Sequence, residues 1–174
     1  VSENGVAKVK GKKVHKFTDE AGVYELLKLP LIEPELREGR GEIEAASKGE
    51  LPELVIEDDI RGDLHCHTTL SDGRNSLAEM AEAARDRGYA YLAVTDHSAT
   101  HGFGDDVQPD ALRRRIEEVA ELNETLPKGF RLLSGSEVNI LPDGGLDYSD
   151  ELLDQLDWVV ASVHTSFRMG AAAM

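Results

Sequence analysis

From Gly62 onward, short apolar runs alternate with amphipathic segments of helical period. The apolar runs are GDLHCHT, YAYLAVTDH, FRLLSGSEVNI and WVVASVHTSF. Between them come SLAEMAEAARDRG, PDALRRRIEEVAELNETL and SDELLDQL, and the first of these has Ser76 as its predicted cap, with Glu79 completing a capping box. Strands and helices in this alternation are typical of parallel βα units. We therefore predict an α/β fold with a parallel sheet covered by helices.

The residues before Gly62 follow a different pattern. VAKVKGKKVHKF predicts a short hairpin around Gly11, with His15 as a surface residue. Residues 19–29 predict a helix that Thr18 caps and Pro30 ends. We interpret residues 30–61, which are charged and interrupted by proline, as a connecting segment with a short helix over residues 42–47.

Composition excludes several classes of protein. The length of 174 residues suits one ordinary domain, or a small one with an appendage. No run approaches the roughly 20 apolar residues that cross a membrane. The amino terminus lacks the apolar core of a secretory signal, and Cys66 is the only cysteine, so disulfides are excluded. We expect a cytoplasmic protein with no membrane partner.

The charge is strongly negative and unevenly distributed. The net charge is -15, and residues 51–174 carry 24 acidic but ten basic side chains. Lys and Arg normally make the contacts with phosphates, so this surface argues against unassisted nucleic-acid binding. Bound divalent cations, or a neighbouring domain, would reverse the local charge.

Residues that bind metals occur at the end of each predicted strand. Parallel strands place their active sites at their carboxyl ends, so these side chains should meet there. His65 and His67 should project to one face of the first strand, with Cys66 buried on the other. The residues expected to form the metal site are His65, His67, Asp72, His97, Glu137 and His164.

The mixture of imidazoles and carboxylates indicates which cations fit. It suits Mn²⁺ or Zn²⁺, with Fe²⁺ as a further candidate, whereas Ca²⁺ and Mg²⁺ prefer oxygen ligands alone. Glu137 is the candidate for a bridging carboxylate that holds two cations about 3.5–4 Å apart, a spacing that activates water for attack on phosphorus. We expect Glu137, His97 and His164 to be the catalytic residues.

Other polar residues have supporting roles in this interpretation. Asp63 and Asp96 are expected to orient imidazoles from behind. His101 and Arg168 are candidates for phosphate contacts, and the alternative for both is an ordinary exposed side chain.

The motifs DLHCHTTLSDG, TDH, SGSEVNI and SVHTSF, in this order, resemble the successive motifs of PHP-type phosphoesterases over residues 62–169. The resemblance implies a distorted TIM-like βα-barrel with up to three divalent cations, held by the six residues named above. The family pattern continues with another histidine and an Asp-x-His pair, whereas this sequence stops at GAAAM. We therefore expect an incomplete, truncated barrel that lacks at least three ligands and is inactive alone.

The stretch before Gly62 is similar to the junction between polymerase and PHP domains in bacterial family X DNA polymerases. This similarity implies that residues 1–29 are an α+β remnant of the last polymerase subdomain, residues 30–61 a linker, and residues 62–174 the PHP domain. The implied activity is metal-dependent phosphodiester hydrolysis at DNA ends, as a 3′-5′ exonuclease or 3′-end processing activity in DNA repair. DNA ends are the implied partner, and the oligomeric state stays open.

Three alternatives differ from this hypothesis in class or substrate. A histidinol-phosphate-type phosphomonoesterase would share the fold but would have no use for the leader. An amidohydrolase-like barrel often bridges its metals with a modified lysine, and Lys128, the only lysine after Gly62, lies in the loop PKGF. A non-catalytic metal-binding module would retain several ligands without turnover.

Overall fold

A computed structural model describes residues 6–7, 14–102, 106–165, 167–168 and 170. The chain divides into two compact units, residues 1–55 and 56–174. Among the residues that the structure describes, no helix combines the length and apolar character needed to cross a membrane.

The first unit begins with a small antiparallel pair of strands. Strand β1 (Val6–Ala7) pairs with β2 (Val14–His15), and Val6 lies opposite His15. This pairing confirms the predicted hairpin, while its predicted turn at Gly11 lies outside the described residues.

Helix α1 (Glu20–Leu27) begins one residue later than predicted. Thr18 was expected to be its cap, and this prediction is wrong. Asp19 has the extended backbone of a capping residue, and its carboxylate accepts a hydrogen bond from the backbone N–H of Gly22 at 3.0 Å. The helix ends at Lys28, whose φ of 59° is left-handed, two residues before Pro30.

The segment predicted to be a connection contains short helices. A 3₁₀ turn spans Pro34–Leu36, and helix α2 (Glu42–Lys48) agrees with the predicted short helix to within one residue. Arg37 links this segment to α1, because its guanidinium pairs with Glu20 at 2.7 Å and its Nε donates to the carbonyl of Ile32. A second 3₁₀ turn, Glu57–Asp59, belongs to the second unit.

The second unit contains a four-stranded parallel sheet in the order β3-β4-β5-β6. The strands are β3 (Gly62–Cys66), β4 (Tyr91–Val94), β5 (Arg131–Asn139) and β6 (Trp158–Ser162). The helices between successive strands are α3 (Leu77–Asp86), α4 (Pro109–Thr125) and α5 (Asp150–Leu153). This curled sheet with its helices is an incomplete βα-barrel, which confirms the predicted fold class.

Apolar helix faces cover the sheet. Helix α3 starts at Ser76 with the predicted capping box, in which Ser76 and Glu79 bond reciprocally to each other's backbone N–H groups. The buried residues of the main core are Leu77, Ala81, Ala84, Leu92, Val94, Val119 and Leu132. A second core lies around Val138 and contains Val107, Leu112, Tyr148 and Leu152. Together these cores fix the strands whose carboxyl ends carry the polar side chains.

The strands stop earlier than the sequence predicts. The first predicted strand runs to Thr68, yet β3 ends at Cys66 and its register with β4 is irregular between Asp63 and Cys66. The chain leaves the ladder because the backbone N–H of Thr68 donates to the carboxylate of Asp96 at 2.7 Å. His67 therefore lies in a loop, and His97 and His164 likewise lie beyond the ends of β4 and β6.

Candidate metal centre

The six predicted ligand residues converge at the carboxyl ends of the four strands. Strand β3 and its following loop supply His65, His67 and Asp72. Strand β5 supplies Glu137, while His97 and His164 follow β4 and β6. The parallel sheet thus brings together side chains that are far apart in the sequence.

Glu137 lies at the centre of this cluster. Its Oε2 is 3.1 Å from Nε2 of His65, Nε2 of His67 and Nδ1 of His97. Its Oε1 is 3.2 Å from Nε2 of His164. The two carboxylate oxygens therefore face different histidines, which is the arrangement expected of a bridging carboxylate.

Asp72 forms the other carboxylate of the cluster. Its Oδ1 lies 2.6 Å from Nδ1 of His67, and its Oδ2 lies 3.7 Å from Nε2 of His97. The loop reaches this position by folding tightly: a Cβ at Gly73 would lie 2.4 Å from the carbonyl oxygen of His67. Glycine is therefore required next to Asp72 for the loop to close.

The ligand atoms form three overlapping groups, and within each group they lie within 4.8 Å of one another. The groups are His65–His67–Glu137, His67–Asp72–His97 and His97–Glu137–His164. The second group shares His67 with the first and His97 with the third, and Glu137 belongs to both the first and the third. The role of these residues as ligands stays a prediction.

The electrostatics of the cluster favour ionised Glu137 and Asp72 and a neutral His97. Burial acts to raise the pKa of Glu137, but the hydrogen bond from His65 and the nearby histidines bring the pKa below its ordinary value. Burial also acts to raise the pKa of Asp72, but its hydrogen bond with His67 and the charges of His67 and His97 together bring the pKa below its ordinary value. Burial and the charge of His67 lower the pKa of His97. These protonation states are the ones that bind a cation.

The donor set itself fits a divalent cation. Three imidazole nitrogens face one carboxylate oxygen at 3.1 Å, so a cation among them would meet donors from several strands at once. Imidazole nitrogens together with carboxylate oxygens are ligands that suit zinc, manganese and iron.

The supporting residues differ in part from the predictions. Asp63 is exposed and accepts a hydrogen bond from the backbone N–H of His65 at 3.0 Å. It therefore restrains the backbone at His65 and does not orient an imidazole ring. His101 is fully buried and stacks on His97 with ring centroids 4.5 Å apart, so the alternative of an ordinary exposed side chain is wrong for this residue. Arg168 is exposed. Phosphate contacts by His101 and Arg168 stay predictions.

Cys66 has the predicted structural role. Its side chain packs against the main core, and its Sγ donates to the carbonyl of Ala93 at 3.3 Å. Burial, together with the neighbouring Asp63 and Asp96, raises the pKa of this thiol to about 12. The cysteine thus remains a neutral packing residue on the side of the strand opposite His65.

A buried polar network lies behind the cluster, and only one of its members, Asp96, is among the predicted supporting residues. Asp96, predicted to orient an imidazole, accepts bonds from Thr68, Ser71 and Arg115, which holds the loop that carries His67 and Asp72. The burial of Arg115 in α4 could have been predicted from the sequence. Arg115 lies at helical spacing from the apolar residues Leu112 and Val119, so it falls on the same buried face of the helix.

A second network holds the other side of the cluster. The Oδ1 of Asn139 accepts the backbone N–H of His164 at 3.2 Å, and its Nδ2 donates to the carbonyl of Thr100. Asp147 accepts from Ser98, Thr100 and the backbone N–H of Asn139. No local pattern in the sequence links these residues, because they come from strand β5 and three separate loops.

Comparison with known proteins decides the family. The PHP domain model matches residues 63–173, which include all six residues of the cluster. The chain belongs to the PHP domain family. The model of the DNA polymerase beta thumb matches residues 1–38, ahead of the PHP domain. Both matches confirm the resemblances noted in the sequence.

Relatives of this PHP protein include polymerases and phosphatases. The chain is 42% identical over 167 residues to "DNA polymerase/3'-5' exonuclease PolX" of Bacillus subtilis, covering 96% of the chain and 29% of that protein. It is 35% identical over 105 residues to a "Probable phosphatase" of Photobacterium profundum, covering 59% of the chain and 39% of that protein. It is also 32% identical over 115 residues to "DNA polymerase III PolC-type" of Oceanobacillus iheyensis, covering 63% of the chain and 7% of that protein.

Proposed function

We propose that this chain is part of a family X DNA polymerase in which the PHP domain hydrolyses phosphodiester bonds at DNA ends in DNA repair. The observation that carries the proposal is the combination of a thumb match over residues 1–38 with the PHP match over residues 63–173. A phosphatase that acts on a small metabolite has no use for a polymerase thumb. The printed name of the Bacillus subtilis relative includes a 3′-5′ exonuclease, which supports the same reaction class.

The proposed domain organisation follows the same argument. Residues 1–29 are the remnant of the polymerase subdomain, residues 30–61 the linker and residues 62–174 the PHP domain. The proposed location is the cytoplasm, where the DNA of a bacterial cell lies.

The proposed metal ligands are His65, His67, Asp72, His97, Glu137 and His164. They would hold up to three cations in the complete domain, with Mn²⁺ or Zn²⁺ preferred and Fe²⁺ as a further candidate. When bound, these cations would activate water and stabilise the charge that develops on the phosphoryl oxygens. Glu137, His97 and His164 are the residues proposed to be catalytic, since their side chains form the buried side of the cluster.

The cluster is open on one side. The side chain of His65 is 44% exposed and that of Asp72 is 40% exposed, whereas those of Glu137 and His97 are buried. A DNA end would approach over this exposed side, with the exposed Arg168 as the proposed phosphate contact. His101 is fully buried against His97, which argues against the direct phosphate contact first predicted for it. The net charge of -15 opposes the approach of a phosphate, and bound cations would offset this charge at the site.

The test is Mn²⁺-dependent release of nucleotides from a 3′-labelled DNA strand. The chain is compared with a longer version that continues through the further histidine and Asp-x-His pair of the family pattern. Each is also prepared with Glu137→Gln, and with Glu124→Gln on the exposed face of α4 as a matched control. We expect cleavage by the longer version alone, lost with Glu137→Gln and kept with Glu124→Gln. Metal binding without cleavage of DNA by either protein would contradict the proposal and favour a structural module.

A phosphomonoesterase is the second candidate function, because several relatives bear the printed name "Probable phosphatase". Histidinol phosphate and the labelled DNA strand separate the two functions when offered to the same preparation. Hydrolysis of histidinol phosphate with no release of nucleotides would favour the phosphomonoesterase.

A further inference from the structure

A buried ion pair lies next to the candidate metal centre in the second unit. Asp96 and Arg115 are both buried, at 3% and 8% exposure, and Nη1 of Arg115 lies 3.1 Å from Oδ2 of Asp96. Buried ions are costly, and a pair is retained where its remaining hydrogen-bonding positions are also used. This pair meets that condition through two residues of the loop after β3.

The two loop residues are Thr68 and Ser71. Oδ1 of Asp96 accepts from the backbone N–H of Thr68 at 2.7 Å and from the hydroxyl of Ser71 at 2.9 Å. Oδ2 of Asp96 accepts from the hydroxyl of Thr68 at 2.8 Å. Arg115 binds the same hydroxyl, since its Nη1 lies 3.0 Å from Oγ1 of Thr68. Its Nε donates instead to the exposed carboxylate of Glu118 on the same helix, at 3.0 Å.

Ser71 extends the network to the end of the neighbouring strand, β4. Its hydroxyl carries one proton, which goes to Asp96 at 2.9 Å, and its oxygen accepts the backbone N–H of His97 at 3.3 Å. The network therefore ties the loop after β3 to the end of β4, and α4 supplies the charge that balances Asp96.

The order of residues along the chain shows what this network controls. His67 directly precedes Thr68, Asp72 directly follows Ser71, and His97 directly follows Asp96. Every member of the group His67–Asp72–His97 is thus a neighbour in sequence of a residue in the network. Each of the other two groups has one such member, which is His67 or His97.

We propose that Arg115 is a positioning residue for the cation group His67–Asp72–His97, acting through Asp96 and the loop residues Thr68 and Ser71. The proposal rests on the proposed function, since it concerns one of the cation groups on which hydrolysis depends. Arg115 touches no ligand itself among the described contacts; it balances and orients the carboxylate to which the loop is bound.

The test measures Mn²⁺ binding by titration calorimetry and by electron paramagnetic resonance, which resolves classes of site by affinity without any substrate. The variants are Arg115→Met, Arg115→Lys and Ser71→Ala. Arg113→Met is the matched control, because Arg113 lies on the same helix, is half exposed and pairs with Asp110. Circular dichroism at the titration temperature checks that each variant is folded.

We expect Arg115→Met to weaken one class of Mn²⁺ site by about 10- to 100-fold, the range found when residues behind metal ligands are replaced. The remaining sites should weaken less, since each shares only one histidine with the group His67–Asp72–His97. Arg115→Lys should recover part of this loss, because lysine restores the charge but not the planar fork that reaches both Asp96 and Thr68. Ser71→Ala should weaken the same class without leaving a buried charge unpaired. Arg113→Met should bind as the unaltered chain does.

Each other result overturns the proposal in a distinguishable way. If the unaltered chain binds Mn²⁺ and Arg115→Met binds it equally well, the positioning role is wrong while the proposed function stands. If Arg115→Met and Ser71→Ala weaken all classes in parallel, Arg115 stabilises the fold in general and has no selective role. If the unaltered chain binds no Mn²⁺, both the metal centre and the positioning role are wrong.

Discussion

The central strand β4 and the flanking strand β6 are both apolar in sequence, yet their surroundings differ. In β4, the segment YLAV is almost entirely buried, and in β5 the residues from Ser134 to Asn139 are buried too. In β6, the equally apolar segment WVVAS leaves Trp158 and Val159 more than one-third exposed. Apolar composition therefore identifies a strand in this fold, whereas its burial depends on having neighbours on both sides and both faces.

The same division runs through the candidate metal centre. The side chains of Glu137 in β5 and His97 just after β4 are 8% and 6% exposed, whereas that of His65 on β3 is 44% exposed. The central strand β5 supplies Glu137, whose carboxylate contacts four histidines. The flanking strand β3 supplies His65, which lies on the exposed side of the cluster. Central residues should consequently dominate both cation affinity and stability.

The largest difference is expected for substitution of the ligands. Glu137→Gln should weaken Mn²⁺ binding by more than about 100-fold, because it removes a charge shared by all four histidines and exceeds the loss typical of residues behind the ligands. His65→Asn should cost less, since His65 belongs to one group and Glu137 to two. Titration calorimetry measures both. An equal loss for the two variants would break the comparison between central and flanking positions.

Removal of the cations should loosen the flanking strands most. Mn²⁺ at about 100 times its dissociation constant should add about 2.7 kcal/mol to the free energy of unfolding, and a chelator should reverse this. Each flanking strand has one hydrogen-bonded neighbour, so cations that link ligands across strands should restrain β3 and β6 more than β4 and β5. Amide hydrogen exchange with and without Mn²⁺ measures the protection strand by strand.

The control for this experiment is Glu137→Gln, for which Mn²⁺ should add little protection to any strand. Equal protection of all four strands in the unaltered chain would mean that the cations stabilise the sheet as one cooperative body.

Two valines, one in the central strand β5 and one in the flanking strand β6, test whether the two strands differ in burial without involving the metal ligands. Val138→Thr in β5 places a hydroxyl in a fully buried site and should cost about 1–3 kcal/mol. Val159→Thr in β6 makes the same chemical change at a partly exposed site and should cost less than about 0.5 kcal/mol. Urea unfolding measures both free energies. Similar costs at the two sites would show that β6 is buried in solution.

The smallest effect is expected at Asp63 in β3. Its carboxylate is exposed and accepts the backbone N–H of His65, a bond that asparagine can also accept. Asp63→Asn should therefore change Mn²⁺ affinity less than about threefold, since an exposed charge is screened by salt. A loss of about 10- to 100-fold would instead restore the role first predicted for Asp63, which is to orient an imidazole.

The sequence predicts well those features that depend on neighbouring residues or on regular alternation. The capping box of Ser76 and Glu79 is local, so its geometry follows from the spacing alone. The clustering of six polar residues follows from one rule, that parallel strands end at the same edge. The first helix shows the limit of such rules. Thr18 and Asp19 are both good caps, and the backbone conformation that selects Asp19 is not visible in the sequence.

Features that depend on the packing of loops could not be predicted in this way. His101 looks like an ordinary loop residue in the sequence, yet the fold buries it against His97. The contacts of Asn139 with Thr100 and His164 join segments that no periodicity connects. Arg115 lies between these two cases. Its position on the apolar face of α4 is visible in the sequence, whereas its ion-pair partner Asp96 is identified only by the fold.

The wide spacing of the cluster along the chain has a consequence for the order of folding. Translation at about 5–20 residues per second separates the synthesis of His65 from that of His164 by about 5–20 s. Parallel strands pair only after long loops have closed, which makes them slow to form. During this interval the group His67–Asp72–His97 is completed first, the group His65–His67–Glu137 follows, and the group that contains His164 comes last. The full set of ligands can therefore bind cations only after the fourth strand has been made.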